Sequence, residues 1–218
     1  VRIDHDFMKA AMSGKPYKQQ YPVDAETPEY EVETDAAKLW HKIIHNAWKS
    51  AEPGVLFWDT VTSESVPDCY ADLGYRTIST NPCGEIPLCP YDSCRLLAIN
   101  LFSYVENPFT KKAKFDFKKF ARHVQLAQRI MDDIIDLELE KIDRILEKVD
   151  KDPEAEHIKN VERELWNKIR KTCIDGRRTG VGITAEGDML AGLDLLYGSD
   201  KAIEFATKVH QTVALNAY

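Results

Sequence analysis

The chain has 218 residues, of which 44% are hydrophobic, and this is enough apolar material to form a substantial core in one or two domains. It carries 29 Lys and Arg against 36 Asp and Glu, and the resulting net charge of −7 argues against a general binder of nucleic acids. No apolar run approaches the ~20 residues that a membrane span requires. We therefore expect a cytoplasmic protein that contacts neither nucleic acid nor membrane.

The first sixty residues alternate between helical and extended patterns. A short helix is predicted at 5–12, and residues 17–33 are predicted to form either a connection or an edge hairpin. Thr34 or Asp35 is suited to cap the next helix, and the run 55–58 predicts a short buried strand. The apolar residues of the capped helix share one face: Leu39, Trp40, Ile43, Ile44, Ala47, Trp48 and Ala51.

Residues 60–74 are polar and rich in turn formers, which predicts a loop, and residues 75–80 have strand composition. Further on, apolar residues at three-four spacing predict a long helix that reaches about Val149. A second helix is predicted at 154–171, so the heavily charged segment 138–171 forms a candidate helical hairpin and contact surface. The remaining predicted elements are a glycine-containing strand at 177–184, a helix at 185–196 and a final helix capped by Ser199.

The most informative stretch is residues 79–100, which contains the sequence Asn-Pro-Cys-Gly-Glu. In an extended segment, Asn81, Cys83 and Glu85 would project the same way, because side chains alternate between faces. The intervening proline and glycine favour a tight, rigid loop over a ladder strand. An amide, a thiol and a carboxylate are therefore expected to converge.

Four of the five cysteines (Cys69, Cys83, Cys89 and Cys94) lie close together in the sequence, which favours catalysis or metal binding over a disulfide framework. A zinc site is disfavoured because no pair has Cys-x-x-Cys spacing. A cysteine hydrolase is disfavoured because no histidine stands in a recognisable motif. On the residues alone, Cys94 is as well explained by a structural role as by a functional one.

Other spacings give weaker signals. His41 and His45 lie one helical turn apart but lack the glutamate of a metalloprotease, and Glu154-x-x-His157 is half of a di-iron motif without its second half. The glycines after Arg177 and Arg178 do not have dinucleotide-binding spacing, although the two arginines would suit a phosphate.

Residues 80–88, with Cys94 and the segment 98–101 downstream, resemble the active-site loop of the catalytic chain of ribonucleotide reductases. The proline and glycine between the reactive residues are most similar to the adenosylcobalamin-dependent class. Further matches follow in the family's order: Val1–Asp4, Asp6–Met8, Pro53–Asp59, Arg177–Thr184 and Gly187–Leu190.

The resemblance implies a role for each reactive residue. Cys83 would carry the thiyl radical that abstracts the ribose 3′-hydrogen, and Glu85 would accept the proton of the 3′-hydroxyl. Asn81 would hydrogen-bond the substrate hydroxyls. Cys94 would be one half of the redox pair that supplies two electrons, and the family's other half lies earlier in the chain.

The resemblance also implies an α/β fold, namely about half of a ten-stranded α/β barrel with a central reactive finger loop, plus a charged helical insertion. Residues 1–137 would form the first part of the barrel, including the loop 79–100. Residues 138–171 would be the insertion, and 172–218 a barrel strand with its helices. We expect the chain to be a piece of a longer catalytic chain, inactive and self-associating by itself.

The implied cofactor is adenosylcobalamin, and the implied partners are a ribonucleoside di- or triphosphate, a thioredoxin-like or dithiol reductant and further copies of the chain. Arg95-Leu96-Leu97 and Ala185-Glu186 depart from the family's pattern, which leaves the large chain of an iron-dependent class I reductase as an alternative. The alternative from another class is a non-catalytic helical interaction module. The presence of Asn81, Cys83 and Glu85 together argues against that module.

Overall fold

A computed structural model describes residues 1–23 and 25–218 of the chain. These residues form two compact units, Val1–Pro90 and Tyr91–Tyr218, which are described separately below. No helix in the described ranges is both long enough and apolar enough to cross a membrane.

The first unit is built on two capped helices. Helix α1 (His5–Ser13) begins where an Asp4 carboxylate oxygen accepts the Phe7 N–H at 2.6 Å, and α2 (Ala36–Ser50) begins where Asp35 accepts the Lys38 N–H at 2.9 Å. Of the two caps that the sequence allows for α2, the structure uses Asp35. The two helices share a small core that consists of Ile3, Phe7, Ala10, Ala36 and Ile43.

The strands of this unit pair two by two. Strand β1 (Arg2–Ile3) lies parallel to β4 (Leu56–Phe57), and β2 (Pro16–Tyr21) is antiparallel to β3 (Tyr30–Asp35). The segment predicted at 17–33 as a connection or a hairpin therefore takes the hairpin form. The last pair is β5 (Ser79–Thr80) with β6 (Pro87–Leu88), which are antiparallel.

The prediction of a loop at 60–74 is wrong, because this segment is mostly helical. It contains the end of α3 (Trp58–Glu64) and a 3₁₀ helix, Val66–Leu73. Its polar side chains are satisfied locally: the Thr62 hydroxyl bonds the Trp58 carbonyl at 3.2 Å, so the polar composition belongs to a solvated helix. Of the strand predicted at 75–80, only Ser79–Thr80 forms a strand, β5.

The second unit contains one longer parallel pair. Strands β7 (Arg95–Asn100) and β10 (Thr179–Thr184) run parallel, with Gly180 opposite Leu96. The two short strands β8 (Val105–Glu106) and β9 (Lys114–Phe115) are antiparallel to each other. The helices of the unit are α4 (Phe117–Lys151), α5 (Glu156–Gly176), α6 (Glu186–Gly192) and α7 (Asp200–Ala217).

Both long predicted helices are present, and α7 begins at the predicted cap, where Ser199 Oγ accepts the Ala202 N–H at 3.3 Å. Helix α6 is shorter than the predicted 185–196. The N–H groups of Leu193 and Leu195 both turn back to the Leu190 carbonyl, and Asp194 between them has a left-handed φ of 60°. This closed turn ends the helix early.

One face of the parallel pair packs on helices. Leu97 and Ile99 of β7 and Val181 and Ile183 of β10 belong to a core that also contains Phe120 of α4. The other buried members of this core are Leu101, Tyr104, Phe115, Val124, Ala127, Met189, Leu190, Ala202 and Val209. Because Leu96 and Ala98 on the alternate positions of β7 are exposed, the pair has one covered and one open face. Parallel strands covered by helices make this a mixed α/β unit, as predicted.

The packing of this core predicts that two substitutions on α4 differ strongly in their effect on the free energy of unfolding. Phe120 is fully buried and meets Tyr104 and Phe115 edge-on, with ring centroids 4.9 and 5.3 Å away. Phe120→Ala should lower the free energy of unfolding by about 3–5 kcal/mol because it leaves a cavity. Leu126→Ala, at a half-exposed position of the same helix, should lower it by less than about 1 kcal/mol. Urea denaturation followed by circular dichroism measures both, and equal losses would contradict this core.

Candidate active site

The stretch with Asn81, Cys83 and Glu85 is the turn that connects β5 to β6. Three backbone bonds close it: Asn81 N–H to Ile86 O at 3.2 Å, Gly84 N–H to Asn81 O at 3.0 Å, and Ile78 N–H to Leu88 O at 3.0 Å. Gly84 has φ +83°, which residues with a side chain rarely adopt. A Cβ at Gly84 would also lie 3.3 Å from Leu56 Cδ2. The backbone conformation therefore favours glycine here, and a larger residue would in addition require the Leu56 side chain to shift.

The Asn81 side chain holds the turn together from inside. Its Nδ2 donates to Glu85 Oε1 at 2.5 Å, and its Oδ1 accepts the Ile86 N–H at 3.0 Å. The amide and the carboxylate thus converge, but they do so because the chain turns back at residues 81–86. The extended geometry that predicted this convergence is not what the structure contains.

Cys83 occupies the tip of this turn and is exposed, as is Glu85, whereas Asn81 is half-buried. The proline before Cys83 and the turn closed behind it leave the thiol on a short and constrained segment. The turn thus presents an accessible thiol at Cys83 and, two residues later, a carboxylate that is hydrogen-bonded to the Asn81 amide.

Cys94 belongs to the second unit, where it immediately precedes β7. Its surroundings depend on Gly180 of β10, because a Cβ at that position would lie 2.8 Å from Leu96 Cδ2, 3.1 Å from the Arg95 carbonyl oxygen and 3.3 Å from Cys94 Sγ. Cys94 and Leu96 therefore lie toward the same open face of the strand pair. The sequence predicts a strand that contains glycines, and in β10 the missing side chain of Gly180 permits this close approach.

The remaining cysteines have different environments. Cys69 is exposed, whereas Cys89 and Cys173 are buried. Burial raises the pKa of the Cys173 thiol, although the nearby Arg95 guanidinium opposes the shift. Within residues 1–23 and 25–218, no group of three or more His, Cys, Asp or Glu side chains is arranged to hold a metal ion.

Sequence reasoning missed the polar contacts around Cys94. Arg95 contacts Glu138 and Cys173, and Arg178 forms an ion pair with Asp92. The only signal in the sequence was the departure of Arg95 from the family's pattern. Arg177, which together with Arg178 would suit a phosphate, also binds carboxylates, those of Asp132 and Asp136.

The family described as "Ribonucleotide reductase, barrel domain" matches residues 5–218, nearly the whole chain. The chain belongs to this family. The match agrees with the parallel strands covered by helices and with the motif at residues 81–85.

Three reductases are similar to most of this chain. The chain is 36% identical to the vitamin B12-dependent ribonucleoside-diphosphate reductase of Thermoplasma acidophilum over 80% of this chain and 18% of the relative. It is 28% identical to the enzyme of the same name from Mycobacterium tuberculosis over 84% of this chain and 22% of the relative. It is also 26% identical to the ribonucleoside-diphosphate reductase subunit alpha of Chlamydia pneumoniae, over 84% of this chain and 15% of the relative. The chain thus spans about a fifth of the length of the first two relatives.

The close approach at Gly180 predicts a contrast between two glycines of β10. Gly180→Ala should lower the free energy of unfolding by about 1–3 kcal/mol, because the new methyl group meets a backbone oxygen that cannot move away freely. Gly182→Ala is the control: its nearest atom would be the Leu97 carbonyl oxygen at 3.8 Å, an ordinary contact. Denaturant titration of both variants checks this, and Gly180→Ala as stable as Gly182→Ala would contradict the packing described here.

Proposed function

We propose that this chain is part of the catalytic chain of a ribonucleoside-diphosphate reductase, which converts ribonucleotides to deoxyribonucleotides by radical chemistry. The observation that carries the proposal is the turn 81–86, in which the Asn81 amide is held between the Glu85 carboxylate and the Ile86 N–H while Cys83 stays exposed. We propose a ribonucleoside diphosphate as the substrate, because the names of the relatives from Thermoplasma acidophilum and Mycobacterium tuberculosis specify it.

The first step belongs to Cys83. As a thiyl radical, its sulfur takes the 3′-hydrogen atom of the ribose, so that an S–H bond forms and the radical passes to the sugar carbon. An exposed thiol on a constrained turn is suited to this step, because the reacting atoms must be held in contact. The S–H bond returns its hydrogen to C3′ at the end, which restores the thiyl radical.

Glu85 acts as the base for the 3′-hydroxyl. It accepts the proton of the 3′-hydroxyl, while the 2′-hydroxyl takes a proton from a thiol of the redox pair and leaves as water. Glu85 returns its proton to the 3′-oxygen at the end of the cycle, and the hydrogen bond from Asn81 holds the carboxylate in place for both transfers. Asn81 orients Glu85 in the absence of substrate. Its Oδ1 is fixed by the Ile86 N–H, so its NH₂ group is directed toward Glu85 and toward any hydroxyl bound beside that carboxylate.

Cys94 supplies reducing equivalents together with a second thiol. The two thiols give up two electrons and two protons and form a disulfide, while the ribose loses its 2′-oxygen as water and gains hydrogen at C2′. An external dithiol, thioredoxin-like or small, then reduces the disulfide by exchange. The half-buried position of Cys94 on the open face of the strand pair suits a thiol that must meet both substrate and reductant in turn.

We propose adenosylcobalamin as the radical source, because relatives at 28–36% identity carry the vitamin B12-dependent name. When bound, it would supply the radical chemistry that converts the Cys83 thiol to a thiyl radical. The exposed Cys83 fits a thiol that must meet a group from outside its own loop. We assign no corrinoid-contacting residue to this chain.

We also propose that β7 and β10 are neighbouring strands of the ten-stranded barrel, of which this chain forms about half. Their parallel pairing, with helices on one face and an open opposite face, supports this arrangement. The divisions 1–137, 138–171 and 172–218, and the assembly of several copies in the full-length protein, are part of the same proposal.

The assignment of Cys83 has a direct test in the full-length protein. Cys83→Ala should abolish deoxynucleotide formation, by at least about 10³-fold, because no other group can abstract the 3′-hydrogen, while nucleotide binding stays nearly unchanged. Cys69→Ala is the control, since Cys69 is the other exposed cysteine of the described residues and has no role in the proposal. Measurable reduction by Cys83→Ala, or a comparable loss in Cys69→Ala, would contradict the assignment.

A further inference from the structure

Arg95, the residue that follows Cys94 in the chain, carries a buried guanidinium group. Only 8% of its side chain is exposed, and its nitrogens have three different partners. Nε donates to Glu138 Oε2 on α4 at 2.5 Å, Nη1 donates to the Arg178 carbonyl at 3.1 Å, and Nη2 donates to Cys173 Sγ on α5 at 3.1 Å. One side chain thus ties the start of β7 to two helices and to the residue before β10.

The chemistry of this site requires arginine. A buried charge is tolerated only when it is paired and its donors are satisfied, and the planar guanidinium presents donors in several fixed directions at once. A lysine could keep the ion pair with Glu138 but has one nitrogen in place of three. It could not reach Cys173 and the Arg178 carbonyl at the same time.

A buried ion pair between Arg178 and Asp92 fixes the segment that precedes Cys94. Arg178 Nε donates to Asp92 Oδ2 at 2.5 Å, and the two side chains are 17% and 5% exposed. The Asp92 Oδ1 atom accepts the N–H of Ser93 at 2.9 Å, which fixes the backbone just before Cys94. Asp92, two residues before Cys94, and Arg95, directly after it, are therefore both bonded to Arg178.

The base of the α4–α5 hairpin is fastened as well. Arg177 Nε donates to Asp132 at 2.8 Å and its Nη1 donates to Asp136 at 2.9 Å. The hydrogen bond from Arg177 lowers the pKa of Asp132. The carboxylate therefore stays charged, and keeps its ion pair with Arg177, at pH values where an ordinary Asp side chain begins to be protonated. Helices α4 and α5, which carry the Arg95 partners Glu138 and Cys173, are thus also joined to each other through Arg177.

We propose that Arg95 is a positioning residue for the Cys94 thiol, which rests on the function proposed above for Cys94. Side chains of neighbouring residues in a strand point to opposite faces. By anchoring its own side chain among Glu138, Cys173 and Arg178 on the helix side, Arg95 sets the rotation of the chain about the strand axis. Cys94 is thereby turned to the open face, beside Gly180.

This geometry gives Cys173 a different role from Cys94. Cys173 lies on the helix side as an acceptor for Arg95, while Cys94 lies toward the face where Gly180 lacks a side chain. Two thiols on opposite faces of the strand pair are not placed to form a disulfide. We assign Cys173 to holding Arg95 and not to the redox pair.

The test uses the full-length protein with a ribonucleoside diphosphate, adenosylcobalamin and dithiothreitol. The quantity measured is the ratio of substrate lost without reduction to deoxynucleotide formed. In Arg95→Met this ratio should rise about tenfold, because abstraction by Cys83 proceeds while a misplaced Cys94 reduces the oxidised sugar too slowly. Arg95→Lys should give a smaller rise, and Cys94→Ser should give the largest.

The ratio separates positioning from loss of fold, because an unfolded fraction lowers both quantities equally. Arg129→Met is the matched control, since Arg129 lies on α4 in an exposed ion pair with Asp133 and should leave the ratio unchanged. If Arg95→Met does not fold, Arg95→Lys carries the same comparison. An unchanged ratio in the folded Arg95 variants would overturn the proposal.

A second measurement does not depend on activity. Iodoacetamide labelling followed by mass spectrometry gives the alkylation rate of Cys94 relative to Cys83 in the same sample. The relative rate should rise about fivefold in Arg95→Met, because the released segment opens more often. A relative rate within about twofold of wild type would overturn the role of Arg95. Absence of any reduction by the wild-type protein would contradict the proposed function alone, and the labelling would still decide the role of Arg95.

Discussion

The close parallel contact between β7 and β10 at Gly180 is the constraint on which the second unit depends. Because Gly180 has no side chain, β10 can lie against Leu96 and Cys94 at distances where a Cβ would collide. The opposite face of the same two strands buries Leu97, Ile99 and their neighbours against α4. A shift of one residue in this register would exchange the two faces, which would place Cys94 among the helices and the core residues in solvent.

The two thiols to which we assign roles are held in different physical ways. Cys83 lies on a hairpin turn that is closed by local bonds, all made within the few residues from Ile78 to Leu88. Cys94 precedes a strand whose position is set by long-range contacts, including the pair of the buried Arg95 with the partly exposed Glu138 and the buried pair of Arg178 with Asp92. A local turn keeps its geometry even when distant elements move. A strand held by buried charges responds sharply when one partner is removed, because the other charge is left uncompensated.

Much of the fold could be predicted because its determinants are local. The three-four spacing of apolar residues predicts α4, Ser199 is the predicted cap of α7, and Asp35 is one of the two residues predicted as the cap of α2. The error at residues 60–74 arose because serine and threonine suit both turns and solvated helix surfaces, and only the bonds made in the fold distinguish these cases. The convergence of Asn81 with Glu85 was predicted from the wrong backbone geometry.

The network around Arg95 could not be predicted, since its partners lie 43, 78 and 83 residues away in sequence. No periodicity or motif connects residues at such distances. A polar residue at the start of an apolar strand carries only the information that it needs partners. Their identity follows from the way α4, α5 and β10 return to β7.

The most direct test of the central claim is the dependence of the full-length protein on a corrinoid. Purified protein supplied with a ribonucleoside diphosphate and dithiothreitol should form deoxynucleotide when adenosylcobalamin is added and none when it is omitted. Deoxynucleotide formation without any corrinoid, supported by an added iron-containing partner chain, would contradict the account.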